Sequence, residues 1–481
     1  MTTAPLMVTV SGVRGIAHKS LTVELVETFV GTFAAYLQRR DPSKKLRIVL
    51  GRDSRISGPE FEKVVVDLLT SLHCDVYNLG ICPTPTVQFM VIKLGFEGGL
   101  IITSSHNPTE WNGLKFVDSD GLFLSPPRCE EMYALSRTHT KETPVFTRDT
   151  DASKFGKVTP YPQAMHDHIS AVLSLKYISV EMIRSAKIRV CIDTINGGGS
   201  VYVPELLREM GVEIVGSLNT EPTGRFAHEP EPIPQNLKSL CELVAKTECD
   251  LGIAVDPDAD RLVLVNEKGE PLGEEYTLAL CTEMMLSIGG KKGIVCKNRS
   301  TTRAIDDIAH KYGCECEASP VGEANVAALM LKTQAVFGGE GNGGVMLPDV
   351  HIGRDSLVGL GLVMQLLAHF KLSKAAEDQK AHTAISDLKA TLPQYEIVKD
   401  KIPLSASVTA EHVDEILAKI KTEWDSKAKT STIDGLFIET PSWWVHLRKS
   451  NTEKIVRVIG EAHTHEEAKM QCEMFHHYFD E

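Results

Sequence analysis

Short hydrophobic runs alternate with longer amphipathic segments through the first part of the chain. The two patterns predict strands at 47–51, 76–80 and 98–103 and helices at 23–37, 59–72 and 85–94. Pro85 suits the first turn of its helix, because its missing N–H would have no helical partner there. Strands that alternate with helices in this way indicate a parallel sheet covered by helices.

The same pattern restarts twice. A strand at 187–193, a glycine turn at 197–200, a helix at 202–210 and a strand at 212–215 form the second passage. The third passage has strands at 293–296 and 335–338 and a helix at 302–312. Three similar α/β passages predict three domains of related layout, although the residues themselves show no repeat that would prove duplication.

The last hundred residues follow another pattern. Charged segments with small residues at 373–381 and 425–431 predict linkers or surface loops on either side of an amphipathic helix at 410–424. Alternating strands are predicted at 436–439, 443–448 and 455–460, followed by a helix at 465–476. This region is therefore predicted to be a smaller α+β domain with an antiparallel sheet.

Composition and charge narrow the class of protein. The 481 residues are 42% hydrophobic and 24% charged, which is ordinary for a globular protein. The apolar segment 357–370 contains Gln365 and His369 and is too short to span a membrane, so we expect a buried helix. A net charge of −13 argues against a nucleic-acid partner.

Cysteine usage and the N-terminus predict a cytoplasmic location. The eleven cysteines are scattered without a Cys-x-x-Cys motif, which favours reduced thiols over disulfides or a zinc site. The first ten residues lack the basic and long apolar regions of a signal peptide. We therefore expect a cytosolic protein with no membrane segment.

The segment Thr103-Ser104-Ser105-His106-Asn107-Pro108 carries candidate chemistry. It follows an apolar strand and ends in Asn-Pro, which predicts a loop, because the residue before proline is pushed out of the α region. A serine with a neighbouring His106 and a nearby Lys115 has the nucleophile and proton carriers that covalent catalysis requires. Taken alone, the segment is also consistent with an ordinary polar turn.

A second candidate is the aspartate triplet Asp256, Asp258 and Asp260, which follows the apolar strand at 250–255. In an extended backbone these side chains share a face, so three carboxylates can converge on one hard cation. An EF-hand is excluded, because Arg261 stands where that loop needs glycine. The alternative is a turn with three solvated aspartates.

Two further segments have ligand-binding composition. The glycine-rich loop 338–344 contains Glu340 and Asn342, which can bridge pairs of sugar hydroxyls; it lacks the Gly-Lys-Ser/Thr of a P-loop. A later polar segment suits a phosphate dianion and contains Arg448, Ser450, Asn451 and Thr452. Arg14 adds a possible anion contact near the N-terminus. A flexible turn and a hydrophilic hairpin are the respective alternatives.

Together these motifs resemble the α-D-phosphohexomutase family. The four signature loops occur in the family's order as Ser105-His-Asn-Pro with Asn112-Gly113 and Lys115, Asp256-x-Asp-x-Asp-Arg261, Gly339-Glu340-x-Asn342-Gly343, and Arg448-x-Ser-Asn-Thr-Glu453. The resemblance implies a four-domain architecture, with three similar α/β domains containing mixed sheets and a smaller C-terminal α+β domain. The predicted boundaries are 1–155, 156–258, 259–372 and 373–481.

The resemblance also implies an intramolecular phosphotransferase that interconverts hexose 6-phosphates and 1-phosphates. Ser105 would carry the phosphoryl group, since the register to His106 and Lys115 selects it over Ser104. A hexose 1,6-bisphosphate would be the intermediate and activator, and Mg²⁺ would be held by Asp256, Asp258, Asp260 and the phosphoryl group on Ser105. His106 and Lys115 occupy the positions expected to move protons, and Arg261 would offset the transferring charge; Arg14, as an anion contact, is counted with these catalytic residues. Sugar binding falls to Glu340 and Asn342, and phosphate binding to Arg448, Ser450, Asn451 and Thr452.

The sugar loop departs from the glucose- and mannose-type pattern, which usually has His where this chain has Gly344. It is more similar to a phosphoglucosamine mutase branch, which predicts glucosamine 6-phosphate as the substrate. A phosphoglucomutase or phosphomannomutase is the alternative within the class, and a non-catalytic sugar-phosphate-binding paralogue is the alternative outside it. The sequence leaves open whether His351 replaces the missing His, the oligomeric state, and the resting phosphorylation of Ser105.

Overall fold

The computed structural model describes residues 5–377, 384–405, 408–450 and 454–479. The first sheet contains seven strands, β1 (Leu6–Thr9), β2 (Gly12–Ile16), β3 (Arg47–Arg52), β4 (Asp75–Ile81), β5 (Gly98–Ile102), β6 (Trp111–Asp118) and β7 (Val158–Pro160). Their spatial order is β1-β2-β6-β5-β3-β4-β7.

Two four-stranded sheets follow. The second contains β8 (Arg189–Asp193), β9 (Glu213–Leu218), β10 (Leu251–Val255) and β11 (Leu262–Asn266), in the order β11-β10-β8-β9. The third contains β12 (Ile294–Asn298), β13 (Glu315–Ser319), β14 (Phe337–Glu340) and β15 (Gly344–Met346), in the order β13-β12-β14-β15.

The first three sheets share one four-stranded motif. In each, the first strand of the motif lies between the second and third and is parallel to both, and the fourth is antiparallel to the third. The motif strands are β3, β4, β5 and β6, then β8 to β11, then β12 to β15. This confirms three similar domains with mixed sheets and corrects the purely parallel sheet that the alternation alone indicated.

The helices cover these sheets. They are α1 (Val23–Arg40), α2 (Gly58–Ser71), α3 (Thr84–Leu94), α4 (Pro126–Thr138), α5 (Ala164–Leu173), α6 (Val180–Ser185), α7 (Tyr202–Met210), α8 (Lys238–Lys246), α9 (Glu274–Ser287), α10 (Ala304–Lys311), α11 (Glu323–Thr333) and α12 (Ser356–Glu377). Pro85 lies in the first turn of α3, as predicted, and Gly95 ends that helix in the left-handed conformation.

The C-terminal region forms a fourth, antiparallel sheet. It contains β16 (Glu396–Pro403), β17 (Lys429–Ser431), β18 (Leu436–Glu439), β19 (Trp444–Lys449) and β20 (Ile455–Ala462), in the order β16-β20-β19-β18-β17. Its helices are α13 (Ile385–Ala390), α14 (Ala410–Trp424) and α15 (His465–Glu473). The predicted α+β domain is confirmed.

One hydrophobic core runs through the first three α/β units, and a second fills the other face of the first sheet. The C-terminal sheet has its own core. Helix α12 belongs to the first of these cores. Residues 356–376 are long and apolar enough to cross a membrane by composition, but 72% of the most apolar window is buried within the protein. The helix is longer than the predicted 357–370, so the expectation that it is too short to span a membrane was wrong, but its burial confirms a core helix.

A buried polar cluster joins the same three units. His168 on α5 lies with its Nε2 2.7 Å from Asp355 Oδ2 and its Nδ1 3.0 Å from the Thr86 hydroxyl of α3. His351 Nε2 lies 3.0 Å from the same Asp355 oxygen. Burial alone would raise the pKa of Asp355, but His168 and His351 outweigh it and lower the pKa. The cluster ties the start of α12 to the first two units.

Several predicted elements differ from the structure. Helix α12 continues to Glu377, so the predicted linker at 373–381 begins as helix, because its lysines and alanines are good helix formers; its residues 378–381 lie outside the described ranges. The predicted loop at 425–431 contains β17, a charged edge strand that pairs on one side only. The predicted helix at 465–476 ends at Glu473.

Two strands cross the predicted domain boundaries. Strand β7 pairs with β4 although it follows residue 155, and β11 pairs with β10 although it follows residue 258. Each sheet therefore continues past the predicted boundary. The boundaries themselves remain predictions. All eleven cysteines lie in the described ranges as free thiols, as expected.

Candidate active site

The serine loop connects β5 to β6, the third and fourth strands of the first motif. Ser105 is 1% exposed and has a φ of +50°, a backbone conformation that is uncommon for serine. Its N–H donates to the Thr103 hydroxyl oxygen at 2.9 Å, and that hydroxyl donates to Asp53 Oδ2 at 2.6 Å. The loop is therefore held in an unusual conformation by a buried carboxylate after β3.

Arg55 holds the same loop through hydrogen bonds to its backbone carbonyls. Its side chain is fully buried, and its Nε donates to Asp53 Oδ2 at 3.0 Å. Its two terminal nitrogens donate at 2.6 to 2.8 Å to the carbonyl oxygens of Ser105, Asn107, Pro108 and Trp111. Neither Asp53 nor Arg55 could be assigned a site role from the sequence, because their contacts depend on the tertiary fold.

The aspartate loop occupies the equivalent position in the second motif, between β10 and β11. Asp256 Oδ1 accepts the backbone N–H groups of Asp260 and Arg261, both at 3.2 Å. Asp258 Oδ2 accepts from the Lys115 ammonium and the Thr84 hydroxyl, each at 2.6 Å. Oδ1 of Asp256 and Oδ2 of Asp258 are therefore engaged by the protein.

The other oxygens suit a hard cation. Asp258 Oδ1 and Asp260 Oδ1 are buried and have no hydrogen-bond partner within the described part of the chain. The three aspartates each offer an oxygen within 4.8 Å of the others, and the Ser105 hydroxyl lies 3.4 Å from Asp256 Oδ2. Oxygen ligands of this kind bind Mg²⁺ or Ca²⁺. The donor set fits a divalent cation beside Ser105.

The pKa values of two of these carboxylates move in opposite directions. Burial, together with Asp260 and Asp258, raises the pKa of Asp256 well above its usual range. Burial alone would raise the pKa of Asp258 as well, but Lys115 and Thr84 outweigh it and lower the pKa. A bound cation would offset the repulsion that Asp256 experiences.

Lys115 and His106 differ in charge. Burial alone would lower the pKa of Lys115, but Asp258 and Asp260 raise it, so the ammonium stays charged at neutral pH. His106 Nδ1 lies 3.3 Å from the Ser105 hydroxyl, and burial with the nearby Arg261 and Arg14 lowers the pKa of His106 well below its usual value. His106 is therefore neutral at pH 7.

Arg14 and Arg261 flank the serine loop. Arg14 Nη1 donates to Asn107 Oδ1 at 3.2 Å, while its buried Nε has no hydrogen-bond partner among the residues described. Arg261 Nε lies 4.0 Å from Asp256 Oδ2, and its Nη1 lies 3.6 Å from Glu231 Oε1. The structure thus brings together Ser105 and the two predicted arginines.

The sugar loop closes the third motif, between β14 and β15. Glu340 is 3% exposed, and its Oε1 accepts from Asn298 Nδ2 at 2.8 Å and from the N–H of Gly322 at 3.0 Å. Asn342 is partly exposed and lies 3.4 Å from Glu340 Oε2. Both predicted sugar-binding side chains lie on one loop, with Asn342 the more accessible.

Arg354, which the sequence analysis missed, connects the sugar loop to the aspartate loop. Its guanidinium donates to Asp260 Oδ2 at 2.7 Å and to Glu340 Oε2 at 3.2 Å. A side-chain carbon added at Gly344 would lie 2.3 Å from Arg354 Cδ. His351, in contrast, lies in the buried cluster with Asp355, so Arg354 and not His351 occupies the space beside Gly344.

The fourth predicted loop is described in part. Arg448 lies near the end of β19, and its Nε donates to Asp434 Oδ1 at 3.0 Å. Asp434 Oδ2 accepts the N–H of Val321 at 2.8 Å, which joins the fourth domain to the third. The Ser450 N–H donates to the Ile455 carbonyl at 3.1 Å. Asn451 and Thr452 lie outside the described residues.

Comparisons with known families and structures agree with this arrangement. Models of phosphoglucomutase/phosphomannomutase α/β/α domains I, II and III match residues 6–143, 166–269 and 273–386. A "Phosphoglucomutase/phosphomannomutase" of Thermococcus kodakarensis is 33% identical over 468 residues, which is 96% of each chain. A "Probable phosphoglucosamine mutase" of Methanopyrus kandleri is 33% identical over 460 residues, or 95% of this chain and 94% of that one.

A solved structure shares the fold. The crystal structure of a phosphoglucomutase/phosphomannomutase family protein from Burkholderia thailandensis has a TM-score of 0.80 and 23% sequence identity, and the match covers 98% of this chain and 97% of that one. Three matching domain models and full-length relatives at 33% identity confirm the resemblance that the four loops indicated. The chain therefore belongs to the phosphoglucomutase/phosphomannomutase family and is a phosphohexomutase.

Proposed function

We propose that this phosphohexomutase converts glucosamine 6-phosphate to glucosamine 1-phosphate through a phosphorylated Ser105 and a bisphosphate intermediate. The observation that carries the proposal is the position of the Ser105 hydroxyl, 3.4 Å from Asp256 Oδ2 and 3.3 Å from His106 Nδ1. This hydroxyl has a cation site on one side and a neutral imidazole on the other. Such a pairing suits reversible phosphoryl transfer.

In the proposed reaction, the phosphoryl group passes from Ser105 Oγ to the free hydroxyl of the hexose monophosphate. The P–O bond to serine breaks as the bond to the sugar oxygen forms, the sugar hydroxyl loses its proton, and the serine oxygen gains one. The bisphosphate then returns its other phosphoryl group to Ser105. His106 is placed to take part in this proton movement, because its Nδ1 lies 3.3 Å from the Ser105 hydroxyl.

Asp256, Asp258 and Asp260 would hold Mg²⁺ together with an oxygen of the phosphoryl group on Ser105. When bound there, the ion supplies positive charge that offsets the charge of the transferring group. Lys115 stays cationic, and its Nζ lies 2.6 Å from Asp258. These observations favour a role for Lys115 as a fixed positive charge over a role in proton transfer. Arg261 and Arg14 add positive charge around the same loop.

Glu340 and Asn342 would bind the sugar hydroxyls in either orientation of the substrate. Arg448, Ser450, Asn451 and Thr452 would bind the phosphate that is not being transferred. The amino sugar is supported by the Gly344 loop and by the name of the Methanopyrus relative. The name of the Thermococcus relative supports glucose or mannose phosphates as the second candidate. The proposed partners are small sugar phosphates, and the proposed location is the cytoplasm.

A comparison of kcat/KM on the 6-phosphates of glucosamine, N-acetylglucosamine, glucose and mannose tests the substrate. Each is assayed with Mg²⁺ and a catalytic amount of the matching 1,6-bisphosphate. The proposal expects the highest kcat/KM for glucosamine 6-phosphate. A higher value for glucose or mannose 6-phosphate would replace the substrate, and no turnover on any of the four would refute the catalytic reading of the site.

Intact-mass spectrometry after exposure to a hexose 1,6-bisphosphate tests the phosphoryl carrier. Wild type should gain the mass of one phosphoryl group, and Ser105→Ala should gain none. Ser104→Ala is the matched control, because Ser104 is equally buried and its hydroxyl donates to Asn107 at 3.0 Å. That variant should still be labelled. Labelling of Ser105→Ala would assign the carrier to another residue.

A further inference from the structure

Arg354 lies in the segment between β15 and α12 and is 8% exposed. Each nitrogen of its guanidinium meets a different carboxylate: Nη2 lies 2.7 Å from Asp260, Nη1 3.2 Å from Glu340 and Nε 3.0 Å from Glu323. The backbone N–H of Arg354 also donates to Glu323 at 3.2 Å. One buried guanidinium therefore joins the aspartate loop, the sugar loop and the start of α11.

The contact with Asp260 determines which oxygen that carboxylate presents. Arg354 and Lys115 both engage Oδ2, at 2.7 and 3.4 Å, and Oδ1 is left without a hydrogen-bond partner among the described residues. Removing Arg354 would leave the carboxylate free to turn about its terminal bond. Its orientation toward a cation would then be lost.

The contact with Glu340 has a matching effect on the sugar loop. Asn298 and Gly322 engage Oε1, so Arg354 is the charged partner of Oε2. Arg354 also requires glycine beneath it, because a side-chain carbon at Gly344 would lie 2.3 Å from its Cδ and 2.8 Å from its Cγ. The residues 344 and 354 are therefore sterically matched.

We propose that Arg354 is a positioning residue that couples cation binding at the aspartate loop to sugar binding at Glu340. A metal cation bound to Asp260 weakens the ion pair between that carboxylate and Arg354. The guanidinium then interacts more strongly with Glu340 and Glu323, so Glu340 is held more firmly. By linkage, sugar binding at Glu340 then favours the cation to the same extent. The inference rests on the proposed function of the two loops, because it assumes that each binds its ligand.

Mn²⁺ binding followed by electron paramagnetic resonance tests the coupling without any turnover. The Mn²⁺ dissociation constant is measured with and without saturating glucosamine 6-phosphate, and again with glucose 6-phosphate, in a Ser105→Ala background so that no phosphoryl transfer intervenes. The parent protein should bind Mn²⁺ at least about fivefold more tightly when the sugar phosphate is present. Arg354→Met should lose this difference.

Two other variants test the contacts of Arg354 independently. Gly344→Ala keeps the arginine but displaces its side chain, so it should lose most of the coupling even if Arg354→Met folds poorly. Arg354→Lys keeps one charge without the three-pronged geometry and should restore part of the coupling. Arg303→Met is the control, because Arg303 is a similarly buried arginine that contacts the carbonyls of Thr440 and Pro441 at the interface of the third and fourth domains.

The control variant should keep the coupling, whatever it does to the melting temperature. Full coupling in Arg354→Met or in Gly344→Ala would overturn the inference and leave the proposed function standing. A parent protein that binds neither Mn²⁺ nor the sugar phosphates would overturn both together. Loss of coupling in Arg303→Met as well would show that general destabilisation, and not the contacts of Arg354, is responsible, and would also overturn the inference.

Discussion

Replacing Arg55 with lysine should release the serine loop without unfolding the first sheet. The buried guanidinium donates to four loop carbonyls, those of Ser105, Asn107, Pro108 and Trp111. Lysine keeps a positive charge near Asp53, but its three donors lie on one nitrogen and cannot span the loop as the planar guanidinium does. We expect at least two of the four carbonyls to lose their donor.

The structure sets the size of this effect. A buried carbonyl without a donor costs ~1–3 kcal/mol; because three of these four contacts are only partly buried, two lost donors cost ~2 kcal/mol, the lower figure of that range. Because β5 and β6 pair with each other and with β3 and β2, the loop can open and hydrate its carbonyls while the sheet stays folded. With ~1.4 kcal/mol for each factor of ten, this figure raises the population of the open loop roughly 30-fold.

Hydrogen exchange read by mass spectrometry on peptides covering 103–111 measures this opening, and kcat measures its effect on the chemistry. Exchange in that peptide should accelerate at least about tenfold. The kcat should fall as well, because the loop that positions Ser105 loses donors to its carbonyls. Arg47→Lys is the control, because Arg47 also pairs with a carboxylate and a carbonyl in the same sheet but is 41% exposed. It should change neither quantity. Unchanged loop exchange in Arg55→Lys, or equal changes in both variants, would refute the reasoning.

Three other parts of the structure give further expectations. Burial lowers the pKa of His446 to about 4, so between pH 6.5 and pH 4 the unfolded chain binds this proton and the folded chain does not. The free energy of unfolding should therefore fall by ~1.4 kcal/mol for each unit that the pH is lowered in this range. Urea unfolding curves of His446→Gln should lack this contribution. Asp355→Ala should cost ~3–5 kcal/mol of unfolding free energy, because it leaves two buried histidines without their partner, whereas Asp349→Ala breaks a more exposed pair and should cost under ~1 kcal/mol. Asp258→Asn should weaken Mn²⁺ binding at least ~10-fold; an affinity equal to wild type would exclude this carboxylate as a ligand.

The elements that could be predicted from the sequence are those that carry their own periodicity. Each α/β restart has apolar strands and amphipathic helices long enough to be recognised, and the structure confirms them within a few residues. Strand β6 was missed because both of its faces are buried and Asn112-Gly113 interrupts its apolar pattern. Strand β7 has only three residues, and its pairing with β4 depends on tertiary structure.

The residues of the candidate site likewise divide into those that lie within recognisable motifs and those that do not. Ser105 and the three aspartates belong to compact motifs, so their residue types and spacing were informative. Arg354 belongs to no such motif, and its carboxylate partners lie 14, 31 and 94 positions away in the chain. The available signal was its place in a polar cluster, next to Asp355, between two apolar segments. Only the fold shows that this cluster faces two loops at once.

The serine, aspartate and sugar loops close the same hairpin, between the third and fourth strands of three copies of one motif. A scaffold repeated in this way lets evolution specialise each copy separately, since a hairpin tip can mutate while the strands that flank it preserve the framework. Substrate choice can then drift in the third copy without disturbing phosphate chemistry in the first. For protein engineering, the tip at 341–343, grafted together with the residue at 354, is the natural unit of exchange between members of the family.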